Sequence, residues 1–332
     1  MKECLSYDDV LLLPQYSDIK SRTEVNLESR LGNRTFTLPI ISSPMDTITG
    51  TEMALAMEKA GGLGIVHRYC SISEQIEMIS YEGISAAAIG ITEDCLDRAA
   101  ALYSAGVRIF CLDVAHGDHA MMEHKIRRIK EAYGEEVHLM AGNVATREGY
   151  ERLSKWGADS IRVGIGGGSI CSTRTQTGHG MPTFQSVLDC SESECDTTII
   201  ADGGIKTGGD IVKALAAGAD FVILGSLLAG TDETPGEKFQ GKKGKEYKVY
   251  RGMASKEAQE DWRGTFSSNE GITTTIGAKG AVTDTLDDLR NSIRSGLSYS
   301  GSRTIFGLQG KAEFIRQTPA GQFESSTHIL RR

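Results

Sequence analysis

Short apolar runs that end in polar or glycine residues recur along the chain. Each run is apolar throughout rather than alternating with polar residues, a pattern typical of strands buried on both faces. The space between most runs fits two loops and one helix, as in repeated strand–helix units. The sequence therefore predicts a parallel sheet. Its eight predicted strands are 39–43, 64–67, 86–90, 109–113, 138–142, 160–164, 198–202 and 221–225.

Helical periodicity fills several of the gaps, where apolar residues recur at spacings of three and four. The segments KAGGLGIV, SAGVRIFCLD, KWGADSIRVG and AAGADFVILG each place a glycine at a helix end that leads into the next strand. Eight such units indicate a (β/α)8 barrel, an α/β fold, with residues 1–332 as one domain. A doubly wound open sheet stays an alternative, because a strand count does not show closure. The predicted helices are 51–60, 92–105, 119–133, 146–156 and 208–217.

Two long polar segments interrupt the repeats: residues 164–182 follow the sixth strand and residues 231–280 follow the eighth. Loops of this length are usually lids or binding loops. In a barrel, both would lie on the C-terminal rim, where active sites are built. We expect residues 231–280, with Lys242, Lys243 and Lys245, to form a mobile flap without regular structure.

The charge balance limits the class of ligand. The chain has 36 Lys and Arg residues against 44 Asp and Glu residues, a formal net charge of -8, which argues against an extended nucleic-acid surface. An anionic ligand must therefore be bound locally. The 39 glycines against 6 prolines indicate backbone loops that approach a phosphate or a nucleotide closely.

The cysteine pattern bears on the cellular compartment. The 7 cysteines form no C-x-x-C pair, and the N-terminus lacks a cationic and apolar signal. We therefore expect a reduced, cytoplasmic protein. No apolar stretch reaches the roughly 18 to 20 residues that span a bilayer, so we expect no membrane partner.

Cys171 is the candidate nucleophile. It follows the sixth strand and stands among glycines and hydroxyl residues, where a thiol at the C-terminal end of a barrel strand is accessible for attack. The alternative is an ordinary small packing residue in a glycine loop.

Two consecutive glycine loops are candidate phosphate sites. Asp202 precedes Gly203 and Gly204 after the seventh strand, and Gly225 and Ser226 follow the eighth. Barrels often bind a phosphate on the backbone N–H groups of these two loops, and an acidic side chain beside them suits a ribose diol. Two tight turns are the alternative.

Metal ligands are not indicated. His116, His119 and His124 lack the spacing of a catalytic metal site, so we expect solvent-facing histidines. The backbone carbonyls of Gly166, Gly168 and Cys171 are suited to a monovalent cation such as K⁺.

The segment VGIGGGSICSTR around Cys171 resembles the inosine monophosphate dehydrogenase and guanosine monophosphate reductase family. The resemblance extends over nearly the whole chain and implies a closed (β/α)8 barrel, a homotetramer and a purine nucleotide substrate, GMP or IMP. Further segments that carry it are LSYDDVLLLP, SSPMDTIT, GGLGIVHR, CLDVAHG, MAGNVAT, ADGGIKTGGDIVKALAAGAD, YRGM, and EGI with the later KG at residues 270–280.

The resemblance also implies residue roles. Cys171 would attack C2 of the purine, Thr173 would assist proton transfer beside it, and Glu270 would contact the purine and take part in ammonia release in reductases. The implied substrate-binding residues are Met45, Ser169, Asp202, Gly203, Gly204, Gly225, Ser226, Tyr250, Gly252 and Met253. The implied cofactor-binding residues are Asp113, Ala115, His116 and Asn143.

Two departures from the dehydrogenases favour the reductase branch. Residues 67–86 leave no room for the regulatory insert between the second and third strands, and the flap has Arg263 followed by Gly264 instead of the Arg-Tyr pair that activates water. Ser267 and Ile272 occupy the positions at which eukaryotic-type reductases have basic residues. We therefore expect an NADPH-dependent GMP reductase.

Two alternatives stay open. The first is an IMP dehydrogenase that lacks the insert. The second is a family member that binds nucleotide without catalysis, since a retained fold does not prove activity. Cys171, Thr173 and Glu270 argue against this second alternative, because a binding protein needs no nucleophile.

Overall fold

Eight parallel strands close into a barrel in the computed structural model, which describes residues 2–81, 83–241, 244–325 and 327. Closure is made by β11 and β4, where Val222 pairs with Ile40 and Leu224 with Ser42. The barrel strands are β4 (Ile40–Ser42), β5 (Leu63–Val66), β6 (Ala86–Ile89), β7 (Ile109–Asp113), β8 (His138–Val144), β9 (Ser160–Val163), β10 (Thr198–Asp202) and β11 (Phe221–Leu224). The predicted (β/α)8 barrel is confirmed, and the doubly wound alternative is wrong.

The remaining strands lie outside the barrel. The strand β1 (Val10–Leu12) pairs antiparallel with β15 (Phe314–Arg316), and β2 (Ser29–Leu31) forms a hairpin with β3 (Arg34–Phe36). The strands β12 (Phe239–Gln240), β13 (Glu246–Arg251) and β14 (Thr273–Gly277) form a separate antiparallel sheet.

The helices follow the strands in alternation. They are α1 (Thr51–Lys59), α2 (Ile72–Ile79), α3 (Cys95–Ser104), α4 (Ala120–Tyr133), α5 (Arg147–Trp156), α6 (Thr173–Thr177), α7 (Thr183–Ser191), α8 (Gly208–Ala216), α9 (Lys256–Arg263), α10 (Val282–Tyr299), α11 (Ile305–Gln309) and α12 (Pro319–Glu324). Short 3₁₀ turns are Tyr7–Asp9, Arg22–Glu24 and Gly134–Glu136. Each predicted strand and each of the five predicted helices matches one of these elements to within a few residues.

Strand alternation divides the core in two. Within β7, Ile109 and Cys111 face an inner cluster, while Phe110 and Leu112 pack in the outer core with the helices. The inner cluster is closed at one end by the β2–β3 hairpin, where Phe36 packs edge-on against Phe221 with ring centroids 5.7 Å apart. The same period of two directs the last inward residue of each strand into the barrel mouth.

The segment 231–280 contains regular structure, which corrects the expectation of a structureless flap. It holds β12, β13, β14 and α9. Its strand β14 exposes threonines on both faces, so the apolar alternation that indicates a strand is missing there. Lys242 and Lys243 lie outside the described residues.

Ion pairs and buried charges attach this flap to the barrel. The guanidinium of Arg251 on β13 contacts Asp46, after β4, at 2.6 Å and also pairs with Asp261 of α9. Within the flap, the ammonium group of the buried Lys248 donates to the carbonyl groups of Asp232 at 3.1 Å and Thr234 at 2.5 Å. Arg251 therefore attaches the sheet to the barrel, and Lys248 holds the start of the flap against that sheet.

Within the described ranges, no helix is long and apolar enough to cross a membrane.

A substitution at Gly164 tests how closely the backbone segments approach each other at the end of β9. Its φ is +144°, and a Cβ added there would lie 2.0 Å from the carbonyl oxygen of Asp202. We expect Gly164→Ala to lower the free energy of unfolding by more than about 2 kcal/mol, because strain and overlap add. Urea unfolding measures this. In Gly277→Ala, where open space surrounds the added methyl group, stability should be unchanged, and equal losses in both variants would contradict the argument.

Candidate active site

A cavity of about 660 Å³ opens at the C-terminal ends of the barrel strands. A larger groove of about 810 Å³ lies outside the barrel, along α8 and α10, and is lined by none of the predicted site residues. The first cavity is therefore the candidate site. The predicted residues that line it are Met45, Asp113, Ala115, Asn143, Gly166, Gly168, Ser169, Cys171, Thr173, Asp202, Gly203, Gly204, Gly225, Ser226, Tyr250, Gly252, Met253 and Glu270.

His116 is the one predicted residue that does not line this cavity. Its side chain is exposed. The next residue, Gly117, donates its N–H group to the carbonyl of Asn143 at 2.7 Å, which fixes the backbone of this loop against β8 and leaves the imidazole outside.

Cys171 is exposed in a tight loop between β9 and α6. Its backbone N–H donates to the carbonyl of Gly168 at 3.1 Å, and its thiol donates to Oγ1 of Thr173 at 3.1 Å. Thr173 is the first residue of α6, so the helix holds the hydroxyl beside the sulfur atom. A nucleophile and a group that can exchange its proton are therefore in contact.

The flap pairs directly with the cysteine loop. The N–H of Ser172 donates to the carbonyl of Glu270 at 2.9 Å, and the N–H of Ile272 donates to the carbonyl of Ile170 at 3.0 Å. The Glu270 carboxylate accepts a hydrogen bond from the Ser268 hydroxyl at 3.2 Å and lines the cavity. Backbone pairing thus brings Glu270 into the same cavity as Cys171.

Glycine allows three loops to converge at one end of the cavity. Gly203 has φ +95°, and a Cβ there would lie 3.1 Å from the backbone of Gly167 and Gly168. On the neighbouring loop, a Cβ at Gly225 would lie 3.2 Å from the hydroxyl of Tyr250. This end of the cavity is therefore lined by backbone, a surface suited to an oxyanion.

Side chains complete this end. The Tyr250 hydroxyl lies 3.3 Å from the Ser169 hydroxyl, and burial raises the pKa of Tyr250, which keeps the phenol neutral. The ammonium group of Lys279 donates to the carbonyls of Ser226 at 2.8 Å and Leu227 at 3.0 Å. Lys279 therefore fixes the Gly225–Ser226 loop without lining the cavity itself.

A buried ion-pair network lies at the barrel mouth. The Arg162 guanidinium contacts Asp113 at 2.5 Å and Asp202 at 2.8 Å. Burial alone would raise the pKa of Asp113, but the positive charges of Arg162 and Arg68 outweigh it and lower that pKa. Gly142 makes room for Arg162, since a Cβ there would lie 2.6 Å from the Cβ of the arginine.

Asn143 completes the network. Its Nδ2 donates to Asp202 and to the carbonyl of Gly164, both at 2.8 Å. Its Oδ1 is buried and has no donor. The cavity therefore presents an unused hydrogen-bond acceptor beside Asp113 and Asp202.

A scan against protein-family models matches residues 4–328 to the IMP dehydrogenase / GMP reductase domain. The chain belongs to this family. The family consists of oxidoreductases of purine metabolism that use nicotinamide cofactors.

Curated relatives in the family are named inosine-5'-monophosphate dehydrogenase. The protein from Nitrosopumilus maritimus is 33% identical over 470 residues, with 98% of this chain and 98% of the relative covered. The protein from Staphylococcus saprophyticus is 33% identical, with 98% of this chain and 96% of the relative covered. Since this chain has only 332 residues, both relatives contain insertions that it lacks.

Among solved structures, a GMP reductase variant from Trypanosoma brucei in complex with guanosine 5'-monophosphate has a TM-score of 0.93. The two chains are 29% identical, and the match covers 99% of this chain and 98% of the other. That neighbour holds a purine nucleotide in its complex.

Sequence reasoning missed several residues that line the site, among them Arg68, Tyr69, Arg162 and Trp262. A signal existed for Arg162, because it is the one charged residue in the run Ser160–Val163 and enters the core between two strands that end in Asp113 and Asp202. No comparable sequence signal marks Arg68, Tyr69 and Trp262, because Trp262 reaches the other two only when the flap lies on the barrel. The Tyr69 and Trp262 ring centroids lie 5.2 Å apart.

The network predicts a pH-dependent loss of stability. Arg162→Met should leave Asp202 without a cation and Asp113 with Arg68 alone, and it should cost about 3–5 kcal/mol at pH 8. In the native protein, the ion pairs that lower the pKa of Asp113 stabilise the fold at pH values above the ordinary titration range of this carboxyl group. This stabilisation is lost as the pH falls through the lowered pKa. Without Arg162 the carboxyl protonates more readily, so the deficit should shrink at pH 5. Urea unfolding at both values measures it.

Arg127→Met is the matched control, because Arg127 pairs with Glu123 on the exposed face of α4. We expect this variant to lose less than about 1 kcal/mol at either pH. A deficit in Arg162→Met that is equal at both pH values would contradict the electrostatic account.

Proposed function

We propose that this chain is an NADPH-dependent GMP reductase that converts GMP to IMP and ammonia. The observation that carries the proposal is the hydrogen-bonded pairing of the flap with the cysteine loop. Through this pairing, Cys171, Thr173 and Glu270 line one cavity. In the same flap, α9 ends at Arg263, and the next residue is Gly264, which has a left-handed backbone with φ +69°.

The tyrosines that line the cavity do not replace the missing tyrosine of the water-activating Arg-Tyr pair. The Tyr69 hydroxyl donates to Asp113 at 3.2 Å, and the Tyr250 hydroxyl lies against Ser169. The Tyr7 hydroxyl is buried. Among the described residues that line the cavity, no tyrosine is hydrogen-bonded to Arg263, whose guanidinium stacks on Trp262. A hydrolytic step is therefore poorly supported.

The reaction proceeds in two halves. The Cys171 sulfur bonds to C2 of the guanine ring as the C2–NH2 bond breaks, and the amine takes up a proton and leaves as ammonia. Thr173, in contact with the sulfur, and Glu270 relay this proton. In the second half, hydride adds to C2 and the C2–S bond breaks, which returns the thiolate and yields IMP.

Binding energy remote from C2 positions the base. The Gly203–Gly204 and Gly225–Ser226 loops would hold the 5'-phosphate on their N–H groups, together with Ser169 and Tyr250. Asp202 would accept from the ribose hydroxyls, since Arg162 and Asn143 occupy only its Oδ2. Met45, Gly252 and Met253 would contact the base.

A nicotinamide dinucleotide fits the residues present at the other side of the cavity. The donorless Oδ1 of Asn143 is suited to a carboxamide N–H, and Asp113 to a ribose hydroxyl. When bound, the reduced cofactor supplies the hydride. The role of Ala115 in the same loop stays a prediction.

A monovalent cation stays a prediction as well. The carbonyl of Gly168 already accepts the N–H of Cys171 at 3.1 Å, which leaves it one further lone pair, and Gly166 and Cys171 belong to the same loop. Three carbonyls of one loop fit a cation only in part, because K⁺ needs further ligands. No step of the proposed reaction depends on it.

IMP dehydrogenase is the second candidate, because the curated relatives at 33% identity carry that name. Two observations weigh against it. The chain lacks the residues inserted in those relatives, and the strands β5 and β6 are joined only by α2 and short loops. The flap also lacks the Arg-Tyr pair.

A paired assay tests the proposal. The purified protein should oxidise NADPH with GMP and release ammonia, and it should not reduce NAD with IMP; absorbance of the reduced cofactor follows both. Cys171→Ala should fall below about 1% of wild-type turnover while GMP binding changes less than about tenfold. Cys195→Ala, outside the cavity, is the control. Oxidation of IMP with no reaction of GMP would replace the proposal by the second candidate.

The role of Glu270 is tested by an isosteric change. Glu270→Gln should slow ammonia release more than about 10²-fold, because the amide keeps its contacts but cannot relay the proton. GMP affinity, measured by calorimetry, should change little. Glu260→Gln on the exposed face of α9 should do neither. A variant that lost GMP affinity but kept its single-turnover rate would make Glu270 a binding residue only.

A further inference from the structure

An arginine without an ion-pair partner lines the cavity at the end of α9. The Arg263 guanidinium is exposed and stacks on the Trp262 indole, 4.1 Å from the ring centroid. Across the residues that the structure describes, no carboxylate lies within ion-pair distance of it. Arg68 and Arg162 of the same cavity, by contrast, both pair with Asp113.

Aromatic and charged side chains pack around Arg263. The Trp262 ring packs edge-on against Tyr69, and the Arg68 guanidinium lies 5.7 Å from the indole centroid and 4.8 Å from the Tyr69 ring. Tyr69 and Arg68 are in turn held by Asp113. We call Arg68, Tyr69, Trp262 and Arg263 the Trp262 platform.

The Trp262 platform carries N–H donors that are not paired with an acceptor among the described residues. The indole N–H of Trp262 is buried without a hydrogen-bond acceptor. Arg68 pairs with Asp113, and Arg162 pairs with Asp113 and Asp202, whereas the positive charge of Arg263 is not paired within the described residues. The unpaired guanidinium and its N–H donors suit an anionic ligand group.

The position of the platform indicates which ligand carries that anion. The 5'-phosphate of the purine nucleotide is assigned above to the loops after β10 and β11. The platform instead joins the loop after β5 to the end of α9, beside Asp113 on β7. An anion there belongs to the second substrate.

We propose that Arg263, held on the Trp262 indole, binds a phosphate group of the nicotinamide dinucleotide. The inference rests on the proposed function only in that a dinucleotide is the second substrate. The phosphate is either the 2'-phosphate of the phosphorylated dinucleotide or the pyrophosphate common to both dinucleotides. Both sources share the chemistry that a guanidinium recognises.

Binding without turnover tests the proposal. The chain has 2 tryptophans, so Trp156→Phe leaves Trp262 as the single fluorescent reporter at the platform. With GMP present, NADP⁺ and NAD⁺ are titrated separately and quenching of Trp262 emission is followed. The oxidised cofactors do not react with GMP, so the readout does not depend on catalysis.

In this background, Arg263→Gln should weaken NADP⁺ binding by about tenfold, the loss expected for one charged hydrogen bond. Arg263→Lys should restore part of the affinity. Lys256→Gln removes the same charge from the same helix outside the cavity, and it should change the affinity less than about twofold. Circular dichroism confirms that each variant is folded.

The two dinucleotides separate the sources of the phosphate. Loss of affinity for NADP⁺ alone supports the 2'-phosphate, and equal losses for both dinucleotides support the pyrophosphate. Unchanged affinity for both in Arg263→Gln, or an equal loss in Lys256→Gln, overturns the proposal. A wild-type protein that shows Arg263-dependent binding but no reaction of GMP with NADPH would overturn the proposed function and leave this inference standing.

Discussion

The buried guanidinium of Arg162 is the interaction on which the candidate site depends. It projects from β9 into the barrel mouth and contacts Asp113 at the end of β7 and Asp202 at the end of β10. Removing these charges from water costs several kcal/mol for each ion, so the arrangement is stable only when all three are paired. Gly142 is part of the same constraint, because any side chain there would occupy the space of the arginine. The network therefore fixes the carboxylates that the ligands would meet.

Outside this fixed centre, the reacting groups lie on loops that stabilise one another. The cysteine loop is held by backbone hydrogen bonds to the flap at Ser172 and Ile272, and the flap is attached to the barrel by Arg251 and Lys279. Few of these contacts are apolar, so the assembly is specified by directional hydrogen bonds rather than by burial. Such regions lie at the low end of local stability, which suits a segment that must admit substrate.

The framework was predictable from sequence because each barrel strand is a continuous apolar run ended by glycine or a polar residue. The loops that bear Cys171, Asp202 and Gly225 followed directly from those strand ends. The regular structure of the flap was not predictable, because Thr273–Gly277 exposes threonines on both faces and has no apolar alternation. Contacts between Tyr69 and Trp262 depend on how that flap lies on the barrel, and residues almost two hundred positions apart share no local pattern. His116 follows a predicted strand yet does not line the cavity, because the hydrogen bond from Gly117 to the carbonyl of Asn143 fixes the backbone of this loop.

The division between barrel and flap also bears on the direction of the reaction. Cys171, Thr173 and Asp202 belong to the barrel side, and under the proposed function their roles are the same whichever reaction follows attack at C2. Under the proposed function, the choice between hydrolysis and reduction falls to the flap, since a water-activating base would have to stand beside Arg263. Gly264 provides no side chain there, and its left-handed backbone ends the helix, so the next residues turn away from the α9 axis. Under the proposed function, Gly264 thus stands where hydrolysis would need a base, and Arg263 has no catalytic partner beside it.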